Sequence, residues 1–581
     1  MQKFSIYLSC ALAMGLGSCS SDNIPDNKIP QADEGNIYAS LSLSFSGGTR
    51  GETRSQTENP GDNPAQSTDG FEIGKDRENN VQSVLVILAS KADDGTYSYI
   101  TDSGICKAYE ATAGTGDAKN PVYRLKFNTT ALTPHAGKNV HLFAYCNPRA
   151  DLVEGIDKRW NIDLTRTIAD EDKSEIWADN NFLMTNASVS VKTLPSETDM
   201  NTVYNKPQNP FDLGKVQVER VSARFDFAGM TVKGTDGKDL APNTYPIYEY
   251  IGESDGTQSQ NLQGYVEIDG LSLFNEAKTF YYIPRVAENT GTGQEAEPDM
   301  TKVEILGKET PDNWVISPAL TAGPADYFYN LQSKPLPSSF TYTPVSTILG
   351  NDEDENKDWN SDNSKADYHI WRYTTENTLA GVNKTFQRHG STTGVLFRAK
   401  ISAVAGSDLD KAITAKEPVY AFNGIMYGSQ AQLIDYISKN PRSDVSVALQ
   451  NGAQVKIDLI TNDTADKIKS YLSNNDNVKN FLSKSSDDFN RYAHDGNGNY
   501  YVYYYYFNRH NDNGNNTQMG PMEFATVRNN VYKLRIKNIY QWGNPGDKPT
   551  DPDNPDESPE VYFRLEVEVL PWVVRLNDIE F

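Results

Sequence analysis

Two short segments near the start of this 581-residue chain carry residues that point to specific chemistry. In the first, Leu16, Gly17 and Ser18 precede Cys19 at the end of an apolar run, and a polar stretch follows. Small residues before a cysteine fit the lipoprotein signal peptidase, which leaves the cysteine as the acylated first residue. The alternative is an ordinary secretory signal with an unrelated cysteine. We predict a signal peptide at 1–18, lipidation at Cys19 and, under either interpretation, a location outside the cytoplasm.

The second segment is a loop that contains Gly48, Thr49, Arg50 and Gly51. Between Cys19 and this loop the only basic residue is Lys28, so Arg50 is the first arginine after the lipidation site. A trypsin-like cut between Arg50 and Gly51 releases the lipid together with everything still joined to it. A cut at Arg54 and an uncut, solvated loop are the alternatives.

The sequence shows few of the motifs that are typical of enzymes. No histidine forms a zinc-type pair at helical spacing, and no phosphate-cradling loop, dinucleotide fingerprint or nucleophile elbow occurs. A glycosidase carboxylate pair stays open because acidic residues are abundant. The acidic run Asp352–Glu355 lacks the glycine and closing glutamate of a calcium-binding EF-hand. We predict no enzymatic activity, no cofactor and no metal.

Composition narrows the class of partner. The chain has 78 acidic and 54 basic residues and a net charge of -24, which argues against nucleic acid or anionic lipid. Once Cys10 has left with the signal and Cys19 is acylated, Cys106 and Cys146 remain, either as a pair or as two buried thiols. The tyrosine run 503–506 fits either a sugar-stacking platform or a strand covered on both faces.

The element between the lipid and the cleavable loop is a predicted β-strand. Apolar side chains occupy every second position and tyrosine or serine the positions between, which is the pattern of a strand with one buried face. We call this element the placeholder strand. Its apolar residues are Ile37, Ala39, Leu41, Leu43 and Phe45. Polar stretches flank the strand, so a cut at Arg50 makes it removable.

A second pattern of this kind ends the chain. Residues 561–581 are predicted donor strands, in which apolar residues alternate with charged ones up to Pro571 and continue beyond it. These residues are Phe563, Leu565, Val567, Val569, Trp572, Val574, Leu576, Ile579 and Phe581. They follow a spacer at 543–560 that is rich in proline and aspartate, and we expect this spacer to be extended and to carry the strands away from their own domain. The alternative is a final strand that pairs within its own domain.

The rest of the chain is predicted to be mainly β, with short alternating runs and few helices. Ser429 is placed to cap a helix through Tyr436, Thr464 to begin a second one, and a weaker helix pattern lies near Val478–Phe489. A turn-rich stretch after residue 233 marks the expected domain boundary. We predict a propeptide at 19–50, an N-terminal β domain at 51–233 and a C-terminal domain at 234–542.

These features together resemble the shaft subunits of the type V fimbriae of Bacteroidales, especially the Mfa-type and FimA-like fimbrillin lipoproteins. The resemblance lies in the 48–51 loop and the terminal strands and in three internal motifs. These are Val218-Glu219-Arg220 with Ala223-Arg224, the run Gly394–Lys400, and Val527-Arg528-Asn529-Asn530-Val531-Tyr532. Residues 234–380 match least.

The resemblance implies two transthyretin-like β-sandwich domains, export as an outer-membrane lipoprotein, and removal of the first strand by an arginine-specific protease. It also implies that identical subunits join head to tail when the terminal strands of one fill the vacated groove of the next. Anchor and tip subunits are the other expected partners, and adhesion and biofilm formation the expected roles. The receptors are unknown. A surface glycan-binding lipoprotein and an enzyme acting on extracellular glycans are the alternatives.

Overall fold

A computed structural model describes residues 35–45, 72–102, 106–109, 122–154, 161–163, 176–250, 258–289, 298–306, 313–318, 340–352, 367–379, 387–457, 464–486, 489–510, 517–520, 522–547, 551–557 and 563–574. Most described segments are strands, and the strands form β-sandwiches, as predicted. Among the described residues, no helix is long and apolar enough to cross a membrane.

Fourteen strands lie in the described residues up to Ala228. They are β1 (Asn36–Phe45), β2 (Glu72–Gly74), β3 (Ser83–Lys91), β4 (Tyr97–Asp102), β5 (Cys106–Tyr109), β6 (Val122–Asn128), β7 (Asn139–Cys146), β8 (Asn161–Asp163), β9 (Trp177–Ala178), β10 (Asn181–Phe182), β11 (Met184–Asn186), β12 (Val191–Thr193), β13 (Phe211–Arg220) and β14 (Ser222–Ala228). The helices of this part are α1 (Asp76–Asn79), α2 (Thr129–Leu132), α3 (Ala150–Glu154) and α4 (Glu197–Thr202).

The remaining strands are β15 (Thr244–Tyr250), β16 (Gln258–Phe274), β17 (Thr279–Tyr281), β18 (Arg285–Asn289), β19 (Pro298–Ile305), β20 (Asn313–Ile316), β21 (Thr343–Pro344), β22 (Tyr368–Thr375), β23 (Gly394–Ala403), β24 (Val419–Phe422), β25 (Ile425–Ser429), β26 (Phe489–Tyr492), β27 (Tyr501–Phe507), β28 (Asn530–Ile539) and β29 (Phe563–Val574). The helices are α5 (Val345–Leu349), α6 (Asp408–Thr414), α7 (Gln430–Lys439), α8 (Asp444–Ala453), α9 (Ala465–Asn474) and α10 (Asp476–Phe481).

The N-terminal sandwich is one sheet that closes on itself. Its described strands run in the order β12-β7-β11-β13-β1-β6-β5-β3-β4, and an additional pairing joins β7 and β3, the strands next to the two ends. The buried faces of these strands enclose a common core of aliphatic and aromatic side chains. Strand β1 therefore lies inside the sheet, with a neighbour on each side.

The C-terminal sandwich has two facing sheets. One has the order β2-β29-β28-β14-β22 and the other β15-β16-β23-β27, with β21 beside β16. Their shared core includes Phe225 and Leu534 from the first sheet and Val266 and Phe397 from the second. Strand β13 belongs to the N-terminal sheet and β14 to the first sheet of the C-terminal sandwich, with Val221 between them.

A helical insertion separates β23 from β27 and has its own core. Helices α7 to α10 pack with the small sheet β25-β24-β26 around residues such as Leu433, Leu449 and Leu472. The helices predicted after Ser429 and Thr464 are confirmed as α7 and α9, with these residues at the N-cap positions. The third predicted helix is shorter than expected and ends at Phe481, because Phe489 already belongs to β26.

Candidate functional site

The first part of the candidate site is the slot that β1 occupies. Alternate residues of β1 point into the core, and each of the four is at most 2 % exposed: Ile37, Ala39, Leu41 and Leu43. Burial of the three larger side chains contributes about 5 to 9 kcal/mol before the cost of ordering the strand. Phe45 is the last residue of the strand, opposite Val218. The predicted placeholder strand thus fills a core position.

The two neighbours of β1 are distant in the chain. Strand β6 pairs with β1 antiparallel, with Leu41 opposite Tyr123, and β13 pairs with it parallel, with Leu43 opposite Val216. Neither neighbour is joined to β1 by a hairpin, and β13 and β6 do not pair with each other. Loss of β1 would therefore leave the main-chain groups of two strands unpaired beside an apolar trough.

The second part is the terminal strand β29. Phe563, Leu565, Val567 and Val569 stand opposite Ile539, Ile536, Leu534 and Tyr532 of β28, which are buried in the C-terminal core. Strand β28 begins at Asn530, which stands opposite Pro571. Beyond it, Trp572 and Val574 stand opposite Glu72 and Gly74 of β2. In the single chain, the tail therefore pairs with its own C-terminal sheet.

Six other predicted site residues lie outside the described residues. They are Cys19, Arg50, Gly51, Leu576, Ile579 and Phe581. The chain that contains Arg50 connects β1 to β2. The elements on either side of the predicted cut therefore lie in different sandwiches.

The spacer before β29 differs from its prediction. Its described residues are docked on the C-terminal sandwich and are not extended. Asn544 forms a bridge to Tyr503, and the Asp553 carboxylate pairs with Arg388 at 2.9 Å. The Glu557 carboxylate accepts two hydrogen bonds of 2.8 Å from Arg509. Composition predicted repulsion between acids, but each of these acids has a basic or main-chain partner.

Asp556 is the buried acid of this docked segment. Its side chain accepts a hydrogen bond from the Thr392 hydroxyl, and its Oδ1 has no hydrogen-bond partner among the described residues. Burial raises the pKa of this carboxyl well above the usual 3.8. The folded state therefore favours the protonated acid, and stability decreases as the pH rises through 3.8 toward the raised value.

We expect Asp556→Asn to raise the melting temperature at pH 7. The asparagine amide is neutral at this pH, so its burial does not require the uptake of a proton, as burial of the aspartate does. The difference from the wild type should shrink near pH 4, where the aspartate is protonated as well. Asp553→Asn is the matched control, since that side chain is 70 % exposed. Thermal unfolding at the two pH values tests the prediction. An equal or lower melting temperature for Asp556→Asn at pH 7 would contradict it.

A cluster of buried charges lies between the two halves of the chain. The Arg224 guanidinium pairs with Glu78 at 3.0 Å and with Asp226 at 2.8 Å, and all three side chains are fully buried. The Tyr373 hydroxyl donates to Glu78 at 2.6 Å, and the Lys533 ammonium lies 3.4 Å from Asp226. Sequence reasoning noted Arg224 only within a motif, and Glu78 carries no local pattern that predicts burial.

A second buried arginine joins the same region. Arg528 pairs with Glu376 at 3.0 Å and donates to the main-chain oxygens of Tyr281 and Tyr282. Buried arginines need such complete pairing because an unpaired charge in the interior is costly. Arg224 and Arg528, which both belong to the internal motifs, thus connect separate segments at the junction of the sandwiches.

The tyrosine run forms β27, and both of its faces are covered to some degree. Val502 and Tyr504 lie in the C-terminal core. On the other face, Tyr503 packs near Tyr342 and Tyr505 packs near Phe274, each with ring centroids 6.2 Å apart. This packing favours a structural strand over a sugar-stacking platform.

The two persisting cysteines are separated by a strand. Val84 of β3 pairs with Cys106 on one side and with Cys146 on the other. Adjacent strands lie about 4.8 Å apart, so the two Cα atoms are roughly 10 Å apart, beyond disulfide range. Cys146 is a buried free thiol, and burial raises its pKa. The described residues contain no group of acids, histidines and cysteines placed to hold a metal.

The terminal part of this site is similar in sequence to a known protein family. Residues 498–578, which include β27, β28 and β29, match the family model described as major fimbrial subunit protein type IV, fimbrillin, C-terminal. This part of the chain is similar to the fimbrillins. No curated protein sequence matches the chain.

Solved structures of bacterial surface proteins are similar at low identity. The fimbrilin FimA of Porphyromonas gingivalis is 12% identical, with 93% of this chain and 98% of that chain covered and a TM-score of 0.33. The tip fimbrial protein Mfa3 of Porphyromonas gingivalis is 9% identical, with 92% and 100% covered and a TM-score of 0.29. A proposed cell adhesion protein of Parabacteroides distasonis is 13% identical, with 93% and 99% covered and a TM-score of 0.36. These TM-scores lie below 0.5, so the similarity to fimbrillins rests on the family model that matches residues 498–578.

Proposed function

We propose that this protein is the polymerising shaft subunit of a cell-surface fimbrium that supports adhesion and biofilm formation. Assembly proceeds by donor-strand exchange that a protease triggers. The observation that carries the proposal is the position of β1, which is buried between two strands distant in the chain and precedes a predicted protease site. The fimbrillin match of the terminal region supports the same function.

The first step is the loss of the placeholder strand. The precursor is held on the outer membrane by the Cys19 lipid, and an arginine-specific protease cuts between Arg50 and Gly51. The cut removes the covalent link that keeps β1 beside β6 and β13 at high effective concentration. Strand β1 then leaves with the lipid and opens the trough. Its presence until that moment protects two strand edges from aggregation.

The second step is donation of a tail by an identical subunit, head to tail. Residues beyond Pro571 extend past the end of β28, so they can leave with fewer broken ladder bonds than Phe563–Leu570. They include the apolar Trp572, Val574, Leu576, Ile579 and Phe581. A donor in the trough regains main-chain pairing on both sides and buries apolar surface, which is the recognition mode of strand addition. Anchor and tip subunits complete the fibre.

Limited trypsin treatment of purified precursor tests this function. The intact chain is expected to give a ladder of detergent-resistant polymers, whereas a chain truncated after Glu560 stays monomeric because it has no donor. Arg50→Ala is the control for the cut and is expected to remain largely monomeric, with β1 retained.

A chain truncated after Pro571 separates the two parts of the tail. We expect it to stay monomeric while keeping the β28–β29 pairing. Polymers formed by the Glu560 truncation, or monomers from the intact chain after β1 has left, would contradict donor-strand exchange.

A further inference from the structure

The tail has a contact that the exchange step must break. Glu72, Ile73 and Gly74 of β2 pair in parallel with Trp572, Val573 and Val574. The pairing of β29 with β28 stops at Pro571, opposite the first residue of β28, so β2 is the strand that pairs with these tail residues in the described part of the chain. Strand β2 follows the predicted cut at Arg50 and so remains in the processed chain.

Strand β2 is too short to hold a partner unless it is itself held in place. The residues directly after it do this. The Asn79 side chain donates to the Gly74 carbonyl at 2.8 Å, and the Lys75 amide donates to the Glu78 carboxylate at 2.6 Å. Strand β2 and helix α1 are thus fixed to one another by Asn79 and Glu78.

Glu78 in turn fixes this segment to the C-terminal sheet. Its carboxylate accepts from the Arg224 guanidinium of β14 at 3.0 Å and from the Tyr373 hydroxyl of β22 at 2.6 Å. Glu78 is completely buried, so these bonds are shielded from water and salt. The anchor of β2 therefore depends on one carboxylate with several donors.

A second set of bonds places this anchor where the tail leaves β28. The Arg220 guanidinium donates to the main-chain carbonyl of Glu78 at 3.2 Å and to the side-chain Oδ1 of Asn529 at 3.3 Å. Asn529 directly precedes Asn530, the β28 residue opposite Pro571. The anchored segment and the branch point of the tail thus share one buried network.

We propose that residues 72–79 form a clasp that holds Trp572–Val574 on the subunit's own C-terminal sandwich, and that Glu78 is its positioning residue. The inference rests on the proposed function, because the clasp matters only if these residues are donated. Cleavage at Arg50 leaves the clasp intact. Tail release is then a separate step from groove opening, and a processed subunit retains its tail until a vacant trough competes for it.

Hydrogen–deuterium exchange on the uncleaved full chain tests the clasp. In Glu78→Gln, the backbone amides of Trp572–Val574 are expected to exchange at least tenfold faster than in the wild type. Those of Leu565–Val569 should be unchanged because they pair with β28. Asp76→Asn is the matched control, an exposed acid of the same helix, and should leave both regions unchanged. Unchanged exchange at Trp572–Val574 in a folded Glu78→Gln chain would overturn the clasp.

Ile73→Pro provides a second variant in case Glu78→Gln fails to fold. Proline removes a backbone donor from β2 and leaves the Glu78 cluster in place. The same faster exchange at Trp572–Val574 is expected, and its absence would overturn the clasp.

A polymerisation assay separates this inference from the proposed function. After trypsin cleavage, Glu78→Gln is expected to form polymers several-fold faster than the wild type. If the wild type forms none, donor-strand exchange fails, while the exchange measurement on the monomer still decides whether the clasp exists.

Discussion

Leu41→Asp is expected to expel β1 from the precursor and to lower its free energy of unfolding by at least about 4 kcal/mol. Leu41 is fully buried in the middle of the strand, opposite Tyr123. A carboxylate there loses its hydration among apolar side chains. Urea unfolding of the uncleaved chain gives the change in free energy.

The same substitution should alter assembly as well as stability. If β1 is a placeholder, its loss opens the trough without a protease, so Leu41→Asp precursor is expected to accept donor tails before any cut at Arg50. Size-exclusion chromatography and detergent-resistant ladders report such polymers. They should disappear when the same chain is truncated after Glu560.

Ser42→Asp is the matched control on the other face of the strand. Ser42 stands opposite the exposed Val122, so a charge at this position should stay hydrated. Little change in unfolding or assembly is expected. An equal loss of stability in both variants would contradict the assignment of Leu41 to the trough and of Ser42 to the outer face.

The alternation of β1 was visible in the sequence, but its neighbours were not. A period of two predicts which side chains are buried, as it did for Ile37 to Leu43. It carries no information on which strands flank a segment, because pairing is decided by the packing of the whole sheet. The parallel contact with β13 therefore required the structure.

The end of the chain shows the same limit more strongly. The pattern in 563–574 predicted a strand, and either its own domain or a neighbour could have provided the partner. Pairing with β28 in the single chain follows from the apolar core positions of Tyr532, Leu534 and Ile536. The composition of the spacer predicts an extended chain because it counts prolines and acids and does not reveal Arg388, Arg509 and Thr392 on the opposing surface.

Buried charge was the least predictable part of the candidate site. Glutamate and arginine are usually exposed, so the sequence Asp-Arg-Glu-Asn of helix α1 predicts that Glu78 lies on the surface. It is buried only because Arg224 and Tyr373 meet it from separate strands. Partners far apart in the chain leave no mark in the local sequence of any one of them.

Arg224→Ala is expected to lower the free energy of unfolding by about 3 to 5 kcal/mol at pH 7, because it leaves Glu78 and Asp226 buried without their shared cation. Urea unfolding at pH 7 measures the loss.

Lys439→Ala provides the comparison with an exposed ion pair, since its partner Asp435 lies on the surface of α7. Solvent screens that pair, and little change in the urea midpoint is expected. The contrast matters for assembly, because Arg224 also supports the clasp through Glu78. Arg224→Ala should therefore speed the exchange of Trp572–Val574 amides as Glu78→Gln does. Wild-type stability in Arg224→Ala would show that the buried cluster is compensated elsewhere and would remove the physical basis for a clasp anchored on Glu78.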